Sequence, residues 1–390
     1  MIETINVQNW MTQEEACHAL GVRKQTLYAY VSRGRIEVRW DPEHVSRKLY
    51  RAADVAALMK QRDVGRARKT IAASTMAWGE PIINTHLSTI VRGRLYYRGR
   101  DAIGLAAGAS FEEVARLLWD CECVPVFSTV RDAVPLPAGA SMRARAYASI
   151  ALAASDAAPG GTMDLAQLNA EAARLVSRLA SGFVALGDED GALHVRIAKA
   201  WRCETHAGLL RQALVLLADQ ELTTSAFAAR VAASTGASLG ACMLAGLATL
   251  SGPLHGDAAS RVRALLLEVD EPGVEAGIAR WKAKHGVLPG FGHALYPQGD
   301  PRAAALLAAF DVPDTVRALI DHVRATEGLA PTIDIALMAL AMRCALPHDA
   351  VFALFAIGRS VGWMAHAIEQ IVSGSLLRPR ANYVGPGVAE

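Results

Sequence analysis

No two cysteines in this chain have the spacing of a zinc or redox pair. The six, Cys17, Cys121, Cys123, Cys203, Cys242 and Cys344, are scattered, and the one close pair is separated by a single residue. They read as reduced and structural, with no metal site expected. No basic segment ahead of an apolar stretch opens the sequence, and no uninterrupted apolar run reaches the ~18 to 20 residues that cross a bilayer. A cytoplasmic chain without a membrane partner is therefore expected. A Gly-x-Ser-x-Gly nucleophile elbow is also missing, and no strand pattern precedes Gly290 to Gly292, so that turn is not a dinucleotide loop. What remains is a chain of 390 residues, 52% hydrophobic, with positive mean hydropathy. That is enough to bury a large core in two or three globular units.

The net charge of +2 hides an asymmetry: residues 1–70 hold 13 Lys and Arg against 8 Asp and Glu, leaving 27 against 30 in the rest. The basic front segment has a small, regular plan. Thr12-Gln13-Glu14-Glu15 fits a capping box. A helix starting there stops at Gly21, and a second spans Lys24 to Arg33 and stops at Gly34. Ile36 to Trp40 alternates like a short strand, Asp41-Pro42 turns the chain, and Leu49-Tyr50 lead back to a third helix over Ala53 to Lys60. The segment resembles the winged helix-turn-helix of the MerR and excisionase type. That resemblance makes Arg23, Lys24, Gln25, Tyr28 and Tyr30 candidate groove contacts, and Arg35, Arg39, Arg47 and Lys48 candidate phosphate contacts, with DNA as a partner through residues 1–62. Docking or dimerisation is the alternative use of such a unit. The basic stretch Arg62 to Thr70 reads as linker.

From about Trp78 the chain turns to Ala- and Leu-rich stretches with three- and four-residue spacing, such as Phe111, Val114, Ala115, Leu117 and Leu118. Short breaks separate them: Pro135 to Gly139, Ser155 to Thr162, Gly187 to Gly191, Pro289 to Gly292 and Pro297 to Pro301. Strand-like alternation is almost absent, so an all-α body is expected, its alanines allowing close helix approach.

Within that body Gly252-Pro253-Leu254-His255-Gly256 sets a histidine between glycines after an apolar helix, and Pro289-Gly290-Phe291-Gly292-His293 repeats the device. A lone histidine of this kind is most often structural. These two are followed by Asp300-Pro301-Arg302, Thr332-Ile333-Asp334, the run Gly358-Arg359-Ser360-Val361-Gly362-Trp363 to His366, and Arg378-Pro379-Arg380. In that order, and beginning at Leu95 to Asp101 and Ser110 to Val114, residues 80–390 resemble citrate synthase.

The resemblance implies a large helical domain at 78–256 and 346–390, a small helical domain hinged against it at 257–345, a winged helix-turn-helix at 1–62, and a linker at 63–77. It implies a homodimer whose active site is shared between subunits, acyl-CoA as cosubstrate, a 2-oxo acid as the other substrate, and no tightly bound cofactor. His255 would hydrogen-bond the thioester oxygen, His293 would polarise the ketone, and Asp334 would take the α-proton. Arg302, Arg359 and Arg378 would clamp carboxylates, the last from the other subunit. Val287, Leu288, Pro289, Gly290, Phe291 and Gly292 would lie against the CoA adenine. The chemistry agrees: a weakly acidic thioester α-proton yields to a carboxylate only if the enolate oxygen meets a preorganised donor.

Two positions depart from the family pattern. Gln220 stands where the family usually has a histidine that helps hold the 2-oxo acid; it can donate a hydrogen bond but cannot carry a charge. Asp257 stands two residues after His255, where it would favour a protonated ring if the two were close. His366 reads as a packed, hydrogen-bonded core histidine.

Overall fold

Thr12 caps the first helix in both directions. Its hydroxyl accepts from the Glu15 amide, and the Glu15 carboxylate accepts from the Thr12 amide. This is the expected capping box, and the helix it starts, α1 (Gln13–Leu20), ends on Gly21 at φ 60°. The computed structural model describes residues 10–41, 44, 46–59, 83–130, 137, 139–186, 190–381 and 384–386. The expected linker at 63–77, Pro42 and Lys60 lie outside the described residues, as do parts of the breaks around 135 and 187.

The chain divides into two units, one formed by Met1–Asn84 with Pro379–Glu390 and the other by Thr85–Arg378. In the first, α1 is followed by α2 (Lys24–Ser32) and a helix α3 over residues 52–59. Strands β1 (Trp10–Thr12), β2 (Val38–Trp40) and β3 (Lys48–Arg51) form an antiparallel sheet in the order β1-β3-β2. The expected return strand pairs Val38 with Tyr50 and Trp40 with Lys48. Ala16, Leu20, Leu27, Ile36, Tyr50, Val55 and Leu58 make the core of this unit.

In the second unit the all-α expectation meets one local exception, a three-stranded meander of β4 (Ser88–Val91), β5 (Arg94–Tyr97) and β6 (Arg100–Asp101). Its two connections are Arg92-Gly93 and Arg98-Gly99, all four residues at positive φ, the backbone that two-residue hairpins demand. Strands of two to four residues are too short to show alternation, but the repeated Arg-Gly-Arg marks the turns.

The rest is helical: α4 (Ala102–Gly108), α5 (Phe111–Trp119), α6 (Met142–Asp156), α7 (Leu165–Phe183), α8 (Leu193–Ala200), α9 (Ala207–Leu217), α10 (Thr224–Ser234) and α11 (Leu239–Leu250). Then come α12 (Ala258–Asp270), α13 (Val274–His285), α14 (Pro301–Leu307), α15 (Asp314–Glu327), α16 (Ile333–Arg343) and α17 (Ala350–Ser373). Helix α17 is apolar all round and buried almost throughout, packed by α5, α7, α9, α10 and α11. It is long and apolar enough to cross a bilayer, but here it is the central helix of the fold. Helices α12, α13, α15 and α16 pack mainly on one another, while α14 bridges α16 to α9.

Candidate functional site

Two glycines let α17 reach the segment that follows α9. A Cβ on Gly358 would stand 2.7 Å from the Leu217 Cβ, and one on Gly362 would overlap Ala218 and Asp219. That close approach seats Arg359, fully buried, with its Nε donating to the Leu217 carbonyl at 2.8 Å and Nη1 donating to the Thr223 hydroxyl at 3.4 Å. Its Nη2 has no partner among the described residues. Burial, with Arg302 adding to it, lowers the Arg359 pKa. A cation held this dry with a donor left over is prepared for an anion.

One turn further along α17, the Trp363 indole donates to the Ser225 hydroxyl at 3.1 Å, and Ser225 Oγ lies 2.7 Å from His255 Nε2. Gly246 on α11 makes room for this, since a Cβ there would meet the Trp363 ring at 2.7 Å. Burial, with Arg359 nearby, pulls the His255 pKa down to about 4, so the ring is neutral at physiological pH. Asp257 does not act on it as the sequence suggested. Its carboxylate is taken by Arg143 at 2.8 Å and by the Ser260 hydroxyl at 2.7 Å, and Arg143 also reaches Asp349 at 3.3 Å.

Asp300 organises the opposite wall. Capping α14, it accepts from the Arg302 amide at 3.0 Å, takes the guanidinium through Nε at 3.0 Å and Nη2 at 2.8 Å, and accepts the Ile333 amide of α16 at 3.0 Å. One buried carboxylate thus joins two helix N-termini and an arginine. Burial opposes the charge on Arg302, but Asp300 outweighs it and the pKa rises; Asp300 itself is held below the usual carboxylate range by the same pair. Arg302 Nη1 donates to Gln220 Oε1 at 2.8 Å, which turns the Gln220 amino group towards His293 Nε2, 3.4 Å away. Burial, then Arg302, lowers the His293 pKa.

Asp334 sits in the first turn of α16 and accepts from the Thr332 hydroxyl at 3.0 Å. Burial raises its pKa despite that bond and the nearby Arg302. The loops before His293 and Asp334 are tied together: Gly292 donates to the Ala330 carbonyl at 2.9 Å and Thr332 to the Gly290 carbonyl at 2.8 Å. Gly290 has φ +79°, and a Cβ there would meet Ile335 at 2.6 Å. Of the six expected CoA contacts, Val287 is 74% exposed and Gly292 is exposed, whereas Leu288, Pro289 and Phe291 are buried and Gly290 half-buried. A cavity of about 170 Å³ borders this wall, lined by His293, Tyr296, Asp300, Ala330 and Thr332 among others.

The structure therefore gathers Gln220, His255, His293, Arg302, Asp334 and Arg359 into one neighbourhood, in which Gln220, Arg302 and Arg359 are buried and the other three half-buried. It does not bring Arg378 there; within one chain that residue is exposed after the end of α17. His366 is the expected core histidine, fully buried between Asp219 at 3.3 Å and Arg230 at 3.2 Å. Arg230 in turn pairs with Glu369 at 2.5 Å, whose pKa falls to about 2, burial being outweighed by the His86 amide and Arg230. Sequence reasoning missed Ser225, Asp300 and Tyr296 as site residues. Asp300 was visible in Asp300-Pro301-Arg302 as a helix cap, but Ser225 carries no local signal. In the first unit Arg23, Lys24, Gln25, Arg35, Arg39, Arg47 and Lys48 are exposed, and Tyr28 is 50% exposed. Tyr30 instead packs against the core, because it lies on the same helical face as Leu27, three residues away.

The family described as "Citrate synthase, C-terminal domain" matches residues 126–380, and a helix-turn-helix domain matches residues 10–63. The chain is similar to citrate synthase 2 of Bacillus subtilis, 34% identical over 186 residues, which make up 45% of this chain and 50% of that protein. It is also similar to 2-methylcitrate synthase 2 of Corynebacterium glutamicum, 32% identical over 185 residues, 45% of this chain and 48% of that one. The chain thus spans about half the length of the curated relatives it matches. Among solved structures it is similar to citrate synthase from Thermotoga maritima, with TM-score 0.64 and 27% identity, covering 80% of this chain and 96% of that one.

Proposed function

The chain belongs to the citrate synthase family, and from that premise we propose that it condenses an acyl-CoA with a 2-oxo acid through an enolate and releases CoA. The observation that carries this is Arg359: a fully buried guanidinium whose Nη2 has no partner among the described residues, grouped with Arg302, His293 and a neutral His255.

Asp334 abstracts the α-proton of the thioester. An indole nitrogen only donates, so Ser225 Oγ accepts from Trp363, and in this reading its own proton goes to the short contact with His255 Nε2. The ring proton of His255 is then on Nδ1, where it donates to the developing enolate oxygen. His293 polarises the ketone, while Arg302, Arg359 and an Arg378 from a second copy of the chain hold the carboxylates. Gln220, Arg302 and Arg359 have almost no solvent access, so substrate entry requires the site to open. Residues 257–345 are the segment that moves, and Arg143 grips both crossings into it through Asp257 and Asp349.

Acetyl-CoA and oxaloacetate are the default pair. Propionyl-CoA giving 2-methylcitrate is the variant suggested by the Corynebacterium relative. The test is release of free thiol when the protein is mixed with each CoA ester and oxaloacetate. Thiol release is expected with at least one ester and not with Asp334→Ala. Silence with every ester, or equal release by the variant, overturns the reading.

A second role is favoured by the first unit, whose α2 presents Lys24, Gln25 and Tyr28 and whose hairpin presents Arg39, Arg47 and Lys48. We propose that residues 1–62 bind DNA while the helical body senses a CoA ester or carboxylate. Gel shifts on DNA upstream of its own gene are expected, weakening steeply as salt rises. No shift at low salt removes this role and leaves the first untouched.

A further inference from the structure

Asp257 and Asp349 hold the N-cap positions of α12 and α17, yet neither side chain bonds a backbone amide of its helix. Elsewhere in the fold the same residue type caps in the ordinary way: Asp164 accepts from the Gln167 amide and Asp300 from that of Arg302. Forgoing a cap costs about 1 kcal/mol, so another partner holds these two carboxylates. It is the same one for both, the Arg143 guanidinium of α6, whose Nη2 donates to Asp257 at 2.8 Å and whose Nε donates to Asp349 at 3.3 Å. Arg143 also lies over the Phe352 ring in the first turn of α17, its Cζ 4.0 Å from the ring centroid. Burial opposes the charge on Arg143, but the two carboxylates outweigh it and its pKa rises.

Asp257 also ends the turn that presents His255. The Gly252 carbonyl accepts from the His255 amide at 2.9 Å and from the Asp257 amide at 3.3 Å, and Gly256 packs so closely that a Cβ there would overlap Leu250. His255 is therefore tied to α17 at two points. Its ring reaches that helix through Ser225 and Trp363, and its backbone reaches it through Asp257, Arg143, Asp349 and Phe352. The first tie alone fixes one ring atom and leaves the ring free to swing about it; the second fixes the place from which the side chain starts.

We propose that Asp257 and Arg143 are positioning residues for His255, pinning its turn against the start of α17 so that the imidazole stays aimed at the Ser225 hydroxyl and at the enolate oxygen. This rests on the enolate reading above, and it gives Asp257, a departure from the family pattern, a role that needs no charge on His255. The ion pair is only half-buried, so its worth to folding is small. Misplacing a reacting group by one ångström costs on the order of 10²-fold in rate, so the pair matters more to turnover than to stability.

Asp257→Asn and Arg143→Gln, singly and together in the full-length protein, test this. Asn and Ser cap a helix as well as Asp, so Asp257→Asn, with Asp257→Ser as the second variant, keeps the start of α12 and should change the melting temperature little. Each single variant is expected to lower kcat about tenfold with the KM for oxaloacetate unchanged, and the double variant to be no worse than Arg143→Gln alone. The other readout needs no turnover: the titration of the His255 ring, followed by NMR of histidine-labelled protein and identified by loss of the signal in His255→Gln. Burial, then Arg359, holds that midpoint at about 4. Removing the Asp257 charge lowers it further by its field alone, whereas a turn set loose admits water to the ring and raises it towards the ordinary imidazole value. A rise is therefore expected in Asp257→Asn. A midpoint that stays or falls, a raised oxaloacetate KM with unchanged kcat, or lesions that add in the double variant overturn the inference. Wild-type turnover with an unmoved midpoint sinks the inference alone. A risen midpoint without wild-type turnover sinks the enzymatic reading alone.

Discussion

Burial places the same demand on Asp334 and His255, the neutral form, and so shifts their pKa values in opposite directions. For the carboxylate, burial favours the neutral form and raises the pKa; for the imidazole it favours the neutral form and lowers the pKa to about 4. A base must be ionised to work, so kcat/KM should fall about tenfold per pH unit once pH drops below the raised pKa of Asp334. His255, neutral down to about 4, adds nothing to that limb. A profile flat to pH 4 counts against Asp334 as the base. Asp334→Asn keeps an acceptor for the Thr332 hydroxyl and should lower kcat by roughly 10² to 10⁴. A group whose folded pKa is raised contributes stability below its unfolded pKa, and loses it as pH rises through the folded value. At pH 7 the ionised Asp334 is therefore a burden, and the Asn variant should melt no lower than wild type. The proposed catalytic residues stand at places the sequence marks, in glycine-marked turns or at a helix start. Ser225 was not legible there, since a serine beside an indole acquires meaning only from tertiary neighbours. Gln220 was legible as a departure, but its lock on Arg302 was not.

The elements rest on a few glycines whose role is space as much as conformation. Gly290 is the sharpest case, with φ +79° and Ile335 of α16 where a Cβ would stand. Gly290→Ala should cost about 1–2 kcal/mol from the left-handed backbone alone, read as a lower urea midpoint. It should also push the 287–292 loop off α16 and raise the KM for acyl-CoA. Unchanged stability would show that the loop yields freely and does not position His293. Helix limits followed from local signals: Thr12 opened a capped helix and Gly21 closed it. The meander at 88–101 escaped because strands this short have no period to read, and its evidence lay in two Arg-Gly turns.

At the scale of the molecule, the site seen in one chain lacks one expected member. Arg378 follows α17 and is exposed, while the buried Arg359 keeps an Nη2 without a partner among the described residues. If a second copy supplies Arg378, each site takes His255 from one subunit and Arg378 from the other. His255→Ala and Arg378→Ala are then inactive separately, yet a mixed dimer holds one site with both lesions and one with neither. Random assortment makes half the dimers mixed, so co-expressed or co-refolded variants should regain about a quarter of wild-type turnover. If Arg378 instead folds back into its own chain's site, every site in the mixture keeps one lesion and no activity returns. The recovered fraction therefore distinguishes a shared site from a self-contained one.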